Sequence, residues 1–256
     1  ISSDIRFEFA ESRLLSATPQ AGPILGGTRV LLVGAGIPVG EITCRFGFPD
    51  DARTVHVHAT TDSGSSVVCV APPRASAAAV SLSILCDAAF CGNSVVFEYY
   101  AEPFFVATGL HMKPISPAGG PVLGGTRVEI VGRNFYDTGN LKCRFGARAR
   151  VPALFVDTTR YTCVAPRWQS APGDVPVYVS LNAQQYTQVD TFSYISVAQV
   201  LSIIPSRGPL GGGTRVTLIG NHLHTPIQDP PVVKFTPSEI LVPATRLPGG
   251  EIVCQT

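Results

Sequence analysis

The sequence predicts an all-β protein made of tandem β-sandwiches, and three observations lead to this fold class. A glycine-rich string that begins at Gly22 returns at Gly120 and at Gly208, so the chain repeats itself. Apolar residues come in short runs rich in Val, Ile, Phe, Tyr and Thr, which favour strands. The 25 glycines and 22 prolines among 256 residues mark frequent turns between these runs. We find no apolar stripe at helical spacing.

The repeated string sets the size of the unit. The motif Pro-x-x-Gly-Pro-x-x-Gly-Gly-Thr-Arg-Val runs without a gap from Pro19 to Val30, from Pro117 to Val128 and from Pro205 to Val216. Successive copies lie roughly 90 to 100 residues apart, which is the size of an immunoglobulin-like sandwich and exceeds the about 20 to 50 residues of a solenoid unit. We therefore expect immunoglobulin-like β-sandwiches in tandem, arranged as an elongated rod.

A second set of similar strings marks where the repeats end. These strings are "RFEFAE", "VFEYYA" and "TFSYIS", which begin at Arg6, Val96 and Thr191. They predict that residues 1–13 end a preceding repeat, that 14–104 and 105–196 are complete repeats, and that 197–256 are a partial repeat. The third copy lacks the hairpin that follows "CVAP" in the other two, so we expect the chain to be part of a longer array.

The glycine pair of the motif has two interpretations. A glycine-rich loop can cradle a phosphate, but that requires a helix N-terminus directly behind it. Here the pair leads into an alternating run, in which Val128 and Ile130 share one face while Arg127 and Glu129 share the other. Such alternation is typical of a half-buried strand, so the motif predicts a structural turn.

Four of the seven cysteines follow the repeat. Cys44 in "TCRFG" and Cys69 in "VVCVAP" recur as Cys143 in "KCRFG" and Cys163 in "YTCVAP". Matched cysteines on two strands predict a disulfide in each copy, and a buried free thiol is the alternative. Disulfides would indicate an oxidising compartment, and hence an extracellular or cell-surface location.

The remaining cysteines depart from the repeat. Cys86 and Cys91 predict a third disulfide, in a hairpin turn of the first repeat. That turn looks longer than its counterpart, because more positions separate Val80 from Phe97 than separate Val179 from Phe192. In the third repeat Val233 stands where a partner cysteine would be, so Cys254 is either free or bonded outside its copy.

The glycine motif, the "CRFG" strand and the "CVAP" strand together resemble the IPT/TIG domain. This immunoglobulin-like domain occurs in plexins, the hepatocyte growth factor receptor, fibrocystin and some transcription factors, and the resemblance covers nearly the whole chain. It implies a β-sandwich that serves as a spacer or binding module in cell-surface proteins, or in a smaller set of DNA-binding factors. The cysteine pair resembles the extracellular branch of the family.

Two candidate binding features stand out. Arg144, Arg148 and Arg150 lie close together in "CRFGARARV" and could hold an acidic glycan or the carboxylates of a partner. The alternative is an edge strand whose charges discourage aggregation. Trp168, the one tryptophan, could anchor an interface or lie partly buried under its own loop.

Metal sites receive less support. His56 and His58 share a strand face, and a second histidine pair and an acidic pair occur elsewhere, but none has an evident further ligand. We interpret all three pairs as solvated strand or loop residues. The pairs are His56 with His58, His222 with His224, and Asp50 with Asp51.

The functional expectation follows from what the sequence contains and lacks. It has no nucleophile beside a base, no convincing acidic pair and no cofactor fingerprint, so we predict no catalytic, cofactor or metal site. The net charge of +1 does not favour nucleic acid or a membrane surface.

We expect a non-catalytic segment of a large cell-surface or secreted protein that mediates adhesion, recognition or assembly. Its expected partners are other proteins, neighbouring repeats and a glycan, with membrane attachment only through an anchor outside the segment. The alternatives are an intracellular scaffold, a DNA-associated factor, or an accessory sandwich of a carbohydrate-active enzyme.

Overall fold

A computed structural model of the chain describes residues 12–38, 40–48, 51–87, 89–105, 113–147, 149–223, 231–236 and 239–256, apart from the side chains of residues 62 and 63. Every regular element within these ranges is a β-strand. The strands build three successive units, each with its own hydrophobic core. This architecture confirms the predicted all-β fold class with immunoglobulin-like units in tandem. In the part of the chain so described, no helix could cross a membrane.

The first unit is a sandwich of two sheets. One sheet has the strand order β1-β3-β7-β6 and the other has the order β2-β9-β8-β4-β5. Between them, the rings of Phe46, Phe97 and Tyr99 meet edge to face, with centroids 5.1 to 6.4 Å apart. The strands are β1 (Arg13–Thr18), β2 (Ala21–Pro23), β3 (Arg29–Ala35), β4 (Ile42–Phe46), β5 (Val55–His58), β6 (Thr60–Ser63), β7 (Ser66–Val70), β8 (Ala78–Cys86) and β9 (Ala89–Tyr100).

The second unit repeats this plan, but its two sheets are continuous through one strand. The first half of β14 pairs with β13 and its second half pairs with β15, which gives the order β10-β12-β15-β14-β13-β16-β17-β11. Its strands are β10 (Ile115–Ser116), β11 (Gly119–Pro121), β12 (Arg127–Val131), β13 (Lys142–Phe145), β14 (Ala149–Asp157), β15 (Arg160–Val164), β16 (Gly173–Ser180) and β17 (Thr187–Ile195).

Within the described residues, the third unit has five strands in the order β18-β19-β22-β21-β20. The 256 residues end after β22, so the counterparts of β16 and β17 are not among them. Its buried core is correspondingly small, with Val216, Leu218 and Ile252 at its centre. The strands are β18 (Gln199–Ile204), β19 (Arg215–Asn221), β20 (Val232–Phe235), β21 (Ile240–Arg246) and β22 (Ile252–Gln255).

The repeated glycine motif forms a turn that is pinned to the end of the "CVAP" strand. The amide of Gly27 donates to the Ala71 carbonyl, and the Ala71 amide donates to the Thr28 carbonyl, both at 2.8 Å. Gly26 has a φ of 76°, and a Cβ there would lie 2.7 Å from the backbone of Ala71 and Pro72. The same two bonds join Gly125 and Thr126 to Ala165, and Gly213 and Thr214 to Thr256. The motif is therefore a structural turn, and it leads into β3, β12 and β19.

One sequence expectation about hairpin length is wrong. Val80 lies opposite Phe97, as its position suggests, but Phe192 lies opposite Val175 and not opposite Val179. The two hairpins therefore separate their partners by the same number of positions. The error arose because β16 alternates, so that Val175, Val177 and Val179 all face the core and each fits the pattern equally well.

Candidate functional site

The most elaborate polar contact of the molecule lies where the first two sandwiches meet. We call this region the joint, and define it as residues 20–29 and 98–104 of the first sandwich with residues 133–138 and 181–187 of the second. The turn that connects β16 to β17 places Asn182 against the glycine turn of the first sandwich. Ala183 in this turn has a φ of 63°, which is unusual for a residue other than glycine.

Asn182 is the centre of the buried part of the joint. Its Nδ2 donates to the Thr28 hydroxyl at 3.1 Å and to the Gln185 Oε1 at 2.7 Å. The Thr28 hydroxyl donates in turn to Gln185 at 3.1 Å, and that of Ser180 donates to the Asn182 Oδ1 at 3.3 Å. Thr28 is 0% and Asn182 2% exposed, so the centre of this network is closed to solvent, whereas Gln185 at its margin is half-buried.

Gln184 binds the edge of the first sandwich as a strand would. Its Oε1 accepts a hydrogen bond from the Arg29 amide, and its Nε2 donates to the Arg29 carbonyl, both at 2.9 Å. One side-chain amide thereby pairs with both backbone groups of the first residue of β3. β1 pairs with β3 only from Leu31 onward, so the backbone groups of Arg29 on that side have no strand partner and Gln184 satisfies them.

Apolar contacts continue the joint on its other side. Ala21 and Tyr100 belong to the first sandwich by sequence, yet they are buried in the core of the second. Tyr100 stacks on Tyr136, with ring centroids 6.4 Å apart and planes 20° from parallel. The Tyr136 hydroxyl also donates to the Glu98 carboxylate. The two sandwiches thus share a core as well as hydrogen bonds.

A groove runs beside these contacts. It has a volume of about 210 Å³ and is lined by both sandwiches, with Leu25 and Glu102 from the first and Leu181 and Tyr186 from the second. Burial, and secondarily the charge of Glu102, raises the pKa of Tyr100 well above its usual value. That tyrosine therefore stays neutral at the joint.

The sequence singled out three arginines, and the structure describes two of them. Arg144 on β13 and Arg150 on β14 lie directly opposite each other in the antiparallel register. The Arg144 guanidinium lies over the rings of Tyr178 and Tyr186, at 4.1 and 4.7 Å from their centroids. The Arg150 guanidinium lies over Tyr186 at 5.6 Å. Arg148 lies outside the described residues.

Trp168 is packed within the second sandwich. Its ring stacks on Tyr194, with centroids 4.9 Å apart and planes 11° from parallel. Its Nε1 donates to the Ala171 carbonyl at 3.2 Å. The side chain is half-buried and contributes to the core, so its part in partner binding stays a prediction.

The cysteines of the first two copies pair within their own copy. The structure joins Cys44 to Cys69 and Cys143 to Cys163 across the two sheets, with Cα atoms 6.2 and 6.5 Å apart. Cys86 joins Cys91 across the hairpin of β8 and β9, at 5.9 Å. Cys254 is buried without a disulfide, and burial raises the pKa of its thiol.

The histidine pairs lie on open surface where they are described, whereas Asp51 is half-buried and accepts hydrogen bonds from Arg53. His56 and His58 are exposed on β5, opposite Arg45 and Thr43. His222 follows β19, whereas His224 and Asp50 lie outside the described residues. In the ranges that are described, no three His, Cys, Asp or Glu side chains come together as metal ligands would.

The shifted pKa values have structural causes. Burial raises the pKa of Tyr99 above its usual range and that of Tyr194 to about 12. The Tyr99 hydroxyl donates to the Pro72 carbonyl and the Tyr194 hydroxyl donates to the Pro166 carbonyl, both at 2.9 Å. The pKa of Asp51 is lowered chiefly by hydrogen bonds from Arg53. Each of these contacts lies within a single sandwich.

Sequence reasoning missed the residues of the joint. Asn182, Gln184 and Tyr136 are ordinary polar or aromatic residues in loops, and only their position against Thr28, Arg29 and Glu98 gives them a role. One weak indication existed, since "LNAQQY" combines turn and amide residues between two strands of the second repeat.

Comparison with known proteins agrees with this architecture. The model of the IPT/TIG domain family matches residues 110–194 and 198–256, which is more than half of the chain. Plexin A3 of Danio rerio is 29% identical over 233 residues, covering 86% of this chain and 11% of the plexin. Plexin-A3 of Homo sapiens is 26% identical over 236 residues, covering 86% of this chain and 12% of the plexin. The chain therefore spans about a tenth of the length of these relatives.

A solved structure shows the same fold over nearly the whole chain. The full extracellular region of plexin A4, domains 1 to 10, superposes with a TM-score of 0.50 at 21% identity. That match covers 96% of this chain and 21% of the plexin chain. Together with the three disulfides, these relatives indicate an extracellular or cell-surface location. The chain belongs to the IPT/TIG domain family and resembles its plexin branch.

Proposed function

We propose that this segment is a non-catalytic spacer and binding element of a large cell-surface or secreted protein, and that it supports adhesion, recognition or assembly. We place the repeat limits at residues 14–104, 105–196 and 197–256, with 1–13 ending a preceding repeat. The observation that carries the proposal is the joint, in which Asn182 and Gln184 hold the glycine turn of the preceding sandwich.

The joint supports a spacer function because it restricts the angle between two sandwiches. Contacts between domains of one chain are usually small and polar, so relative motion is the default expectation. Here Asn182 and Thr28 are closed to solvent, and Tyr100 of the first sandwich lies in the core of the second. A bend at the joint would break buried hydrogen bonds and expose apolar surface, so the first two repeats act as one stiff unit in a rod.

A distance measurement tests the stiffness. Spectroscopic labels are placed, by genetically encoded amino acids that leave the disulfides intact, at Leu15 and Leu154, which are 61% and 62% exposed. We expect one narrow distance distribution for the unaltered chain, and a broader one when Asn182→Ala and Gln184→Ala are combined. A broad distribution in the unaltered chain would contradict the spacer proposal.

A second experiment tests binding separately. Beads coated with the 256-residue chain are mixed with each other and with cells that display the full protein. We expect the beads to associate with one another or with those cells more than beads coated with the chain after reduction of its disulfides. A chain that keeps a narrow distance distribution but binds in neither assay would be a spacer without an adhesive role.

A further inference from the structure

The paired arginines of the second sandwich form an unusual charge arrangement. Arg144 and Arg150 lie directly opposite each other on adjacent antiparallel strands, so their side chains leave the sheet on the same face. Like charges in such a pair repel each other. Lys142 lies two residues before Arg144 on the same strand and adds a third positive charge to that face.

Aromatic rings hold these guanidinium groups in place. Tyr186 contacts both arginines, and Tyr178 lies under Arg144 at 4.1 Å. Cation–π contact orients a guanidinium by its flat face. The N–H donors lie in the plane of the group, so stacking leaves them available for an acceptor beside the rings.

Neither arginine forms an ion pair in the described part of the chain. None of the ion pairs found there includes Arg144 or Arg150. The Nε of Arg144 and the hydroxyl of Tyr186 are both buried without a hydrogen-bond partner in those residues. Glu102 lines the groove beside Tyr186 but forms no ion pair with either arginine. Arginines without an ion pair inside the protein favour an acceptor from outside it, and an anion that contacts their terminal Nη groups would supply one.

The first sandwich has an arginine at the position that matches Arg144, but it lacks the paired, unsatisfied charges. Arg45 occupies the corresponding place on β4, over the ring of Phe90 at 5.2 Å. Its Nε donates to the Ser83 hydroxyl at 3.1 Å, so it is satisfied. The residue opposite Arg45 is His56 and not a second arginine. The unpaired double charge is therefore a feature of the second repeat and not of the fold.

We propose that Arg144 and Arg150, with Lys142 beside them, bind the sulfate groups of an acidic glycan. This face is less suited to an acidic peptide, because β13 is already paired on both sides. It therefore offers no free backbone groups to which a peptide could add as a strand. A sulfated glycan needs only charged side chains. Lys142 and Arg144 are spaced at about 7 Å along the strand, which suits successive anionic groups of a linear chain.

Heparin is the probe, and the test uses the full 256-residue chain with its disulfides intact. Binding to immobilised heparin is measured by surface plasmon resonance at physiological salt. Loss of a hydrogen-bonded charge pair predicts that Arg150→Gln weakens binding about tenfold. The matched control is Arg45→Gln, which removes the same charge from the first sandwich and should change binding less than about twofold. Circular dichroism checks that both variants are folded.

Two further outcomes are decisive. Equal losses of heparin affinity for Arg150→Gln and Arg45→Gln would mean that heparin binding depends only on overall charge. That result would overturn the proposed site. Binding to poly-glutamate but not to heparin would assign the arginines to an acidic peptide and would overturn the glycan. Glycan binding by the arginines does not depend on the stiffness of the joint. Neither result therefore affects the spacer proposal, which the distance measurement tests separately.

Discussion

The Nδ2 of Asn182, in the second sandwich, donates a hydrogen bond of 3.1 Å to the hydroxyl of Thr28, in the first. Both residues are almost completely buried, so each supplies a partner that solvent cannot replace. Thr28 belongs to the repeated glycine motif, whose main role is to pin a turn inside its own sandwich. At the joint, the same residue gains a second role as the attachment point for the next sandwich.

Replacement of this threonine should uncouple the sandwiches. Thr28→Val keeps the shape of the side chain but leaves Asn182 and Gln185 without the hydroxyl. Asn182 and Gln185 keep the hydrogen bond between them, so the variant loses the two bonds of the hydroxyl, each worth about 0.5 to 1.5 kcal/mol, and we expect the free energy of unfolding to fall by about 1 to 3 kcal/mol. Urea denaturation monitored by fluorescence gives the value.

The control is Thr126→Val, at the same position of the second repeat. Thr126 is half-buried, and the structure shows no side-chain hydrogen bond from its hydroxyl to another sandwich in the described residues. We expect a change within about 0.5 kcal/mol. If the two variants lost equal stability, the effect of Thr28 would belong to the turn and not to the joint.

The two glycines of the turn should differ in a second comparison. Gly124 and Gly125 both have positive φ, of 76° and 85°. A Cβ on Gly124 would lie 2.6 Å from the backbone of Pro166 and Arg167, whereas nothing lies within 4 Å of a Cβ on Gly125. Gly125→Ala should therefore cost only the conformational penalty, about 1 to 2 kcal/mol.

Gly124→Ala adds a clash with backbone that cannot move away, so its cost should exceed that of Gly125→Ala by at least about 1 kcal/mol. Thermal unfolding of the two variants, measured side by side, gives the difference. Equal costs would show that the "CVAP" segment can shift, contrary to the pinning we describe.

The fold could be predicted from sequence because it depends on local patterns that recur along the chain. The glycine turn requires positive φ, the alternating valines require a half-buried strand, and each Cys pair spans matched strands. The register of β16 could not be predicted in the same way. Val175, Val177 and Val179 all face the core, so pattern alone does not distinguish which of them lies opposite Phe192.

The joint could not be predicted because it depends on contacts between distant residues. Gln184 and Arg29 are 155 positions apart, and an amide side chain in a loop has no distinctive pattern. The arginine cluster could be predicted in part, because Arg144 and Arg150 are close in sequence. Their stacking on Tyr178 and Tyr186 could not be predicted, because it depends on the pairing of β16 with β13.

The buried disulfide of the second sandwich should contribute measurably to stability. Cys143 and Cys163 are 20 positions apart, and closing a loop of this size stabilises a domain by about 3 kcal/mol. We expect the double variant Cys143→Ala and Cys163→Ala to lose that amount or more, because both thiols are buried. The disulfide between Cys86 and Cys91 closes a much shorter loop. The double variant Cys86→Ala and Cys91→Ala should therefore lose less stability. A smaller loss for the buried pair would contradict this ranking.

Acid should weaken the turn between β14 and β15 through Asp157. Hydrogen bonds from the Thr159 hydroxyl and amide and from Arg160 lower the pKa of this carboxyl from 3.8 to about 2. Because the folded state binds the proton less readily than the unfolded state, the contribution of Asp157 is complete above about pH 4 and is lost as the pH falls through about 2. Thr159→Ala should raise the pKa of Asp157 in an NMR titration, whereas Thr158→Ala should leave it unchanged. An unchanged pKa in Thr159→Ala would show that the hydroxyl does not stabilise the carboxylate.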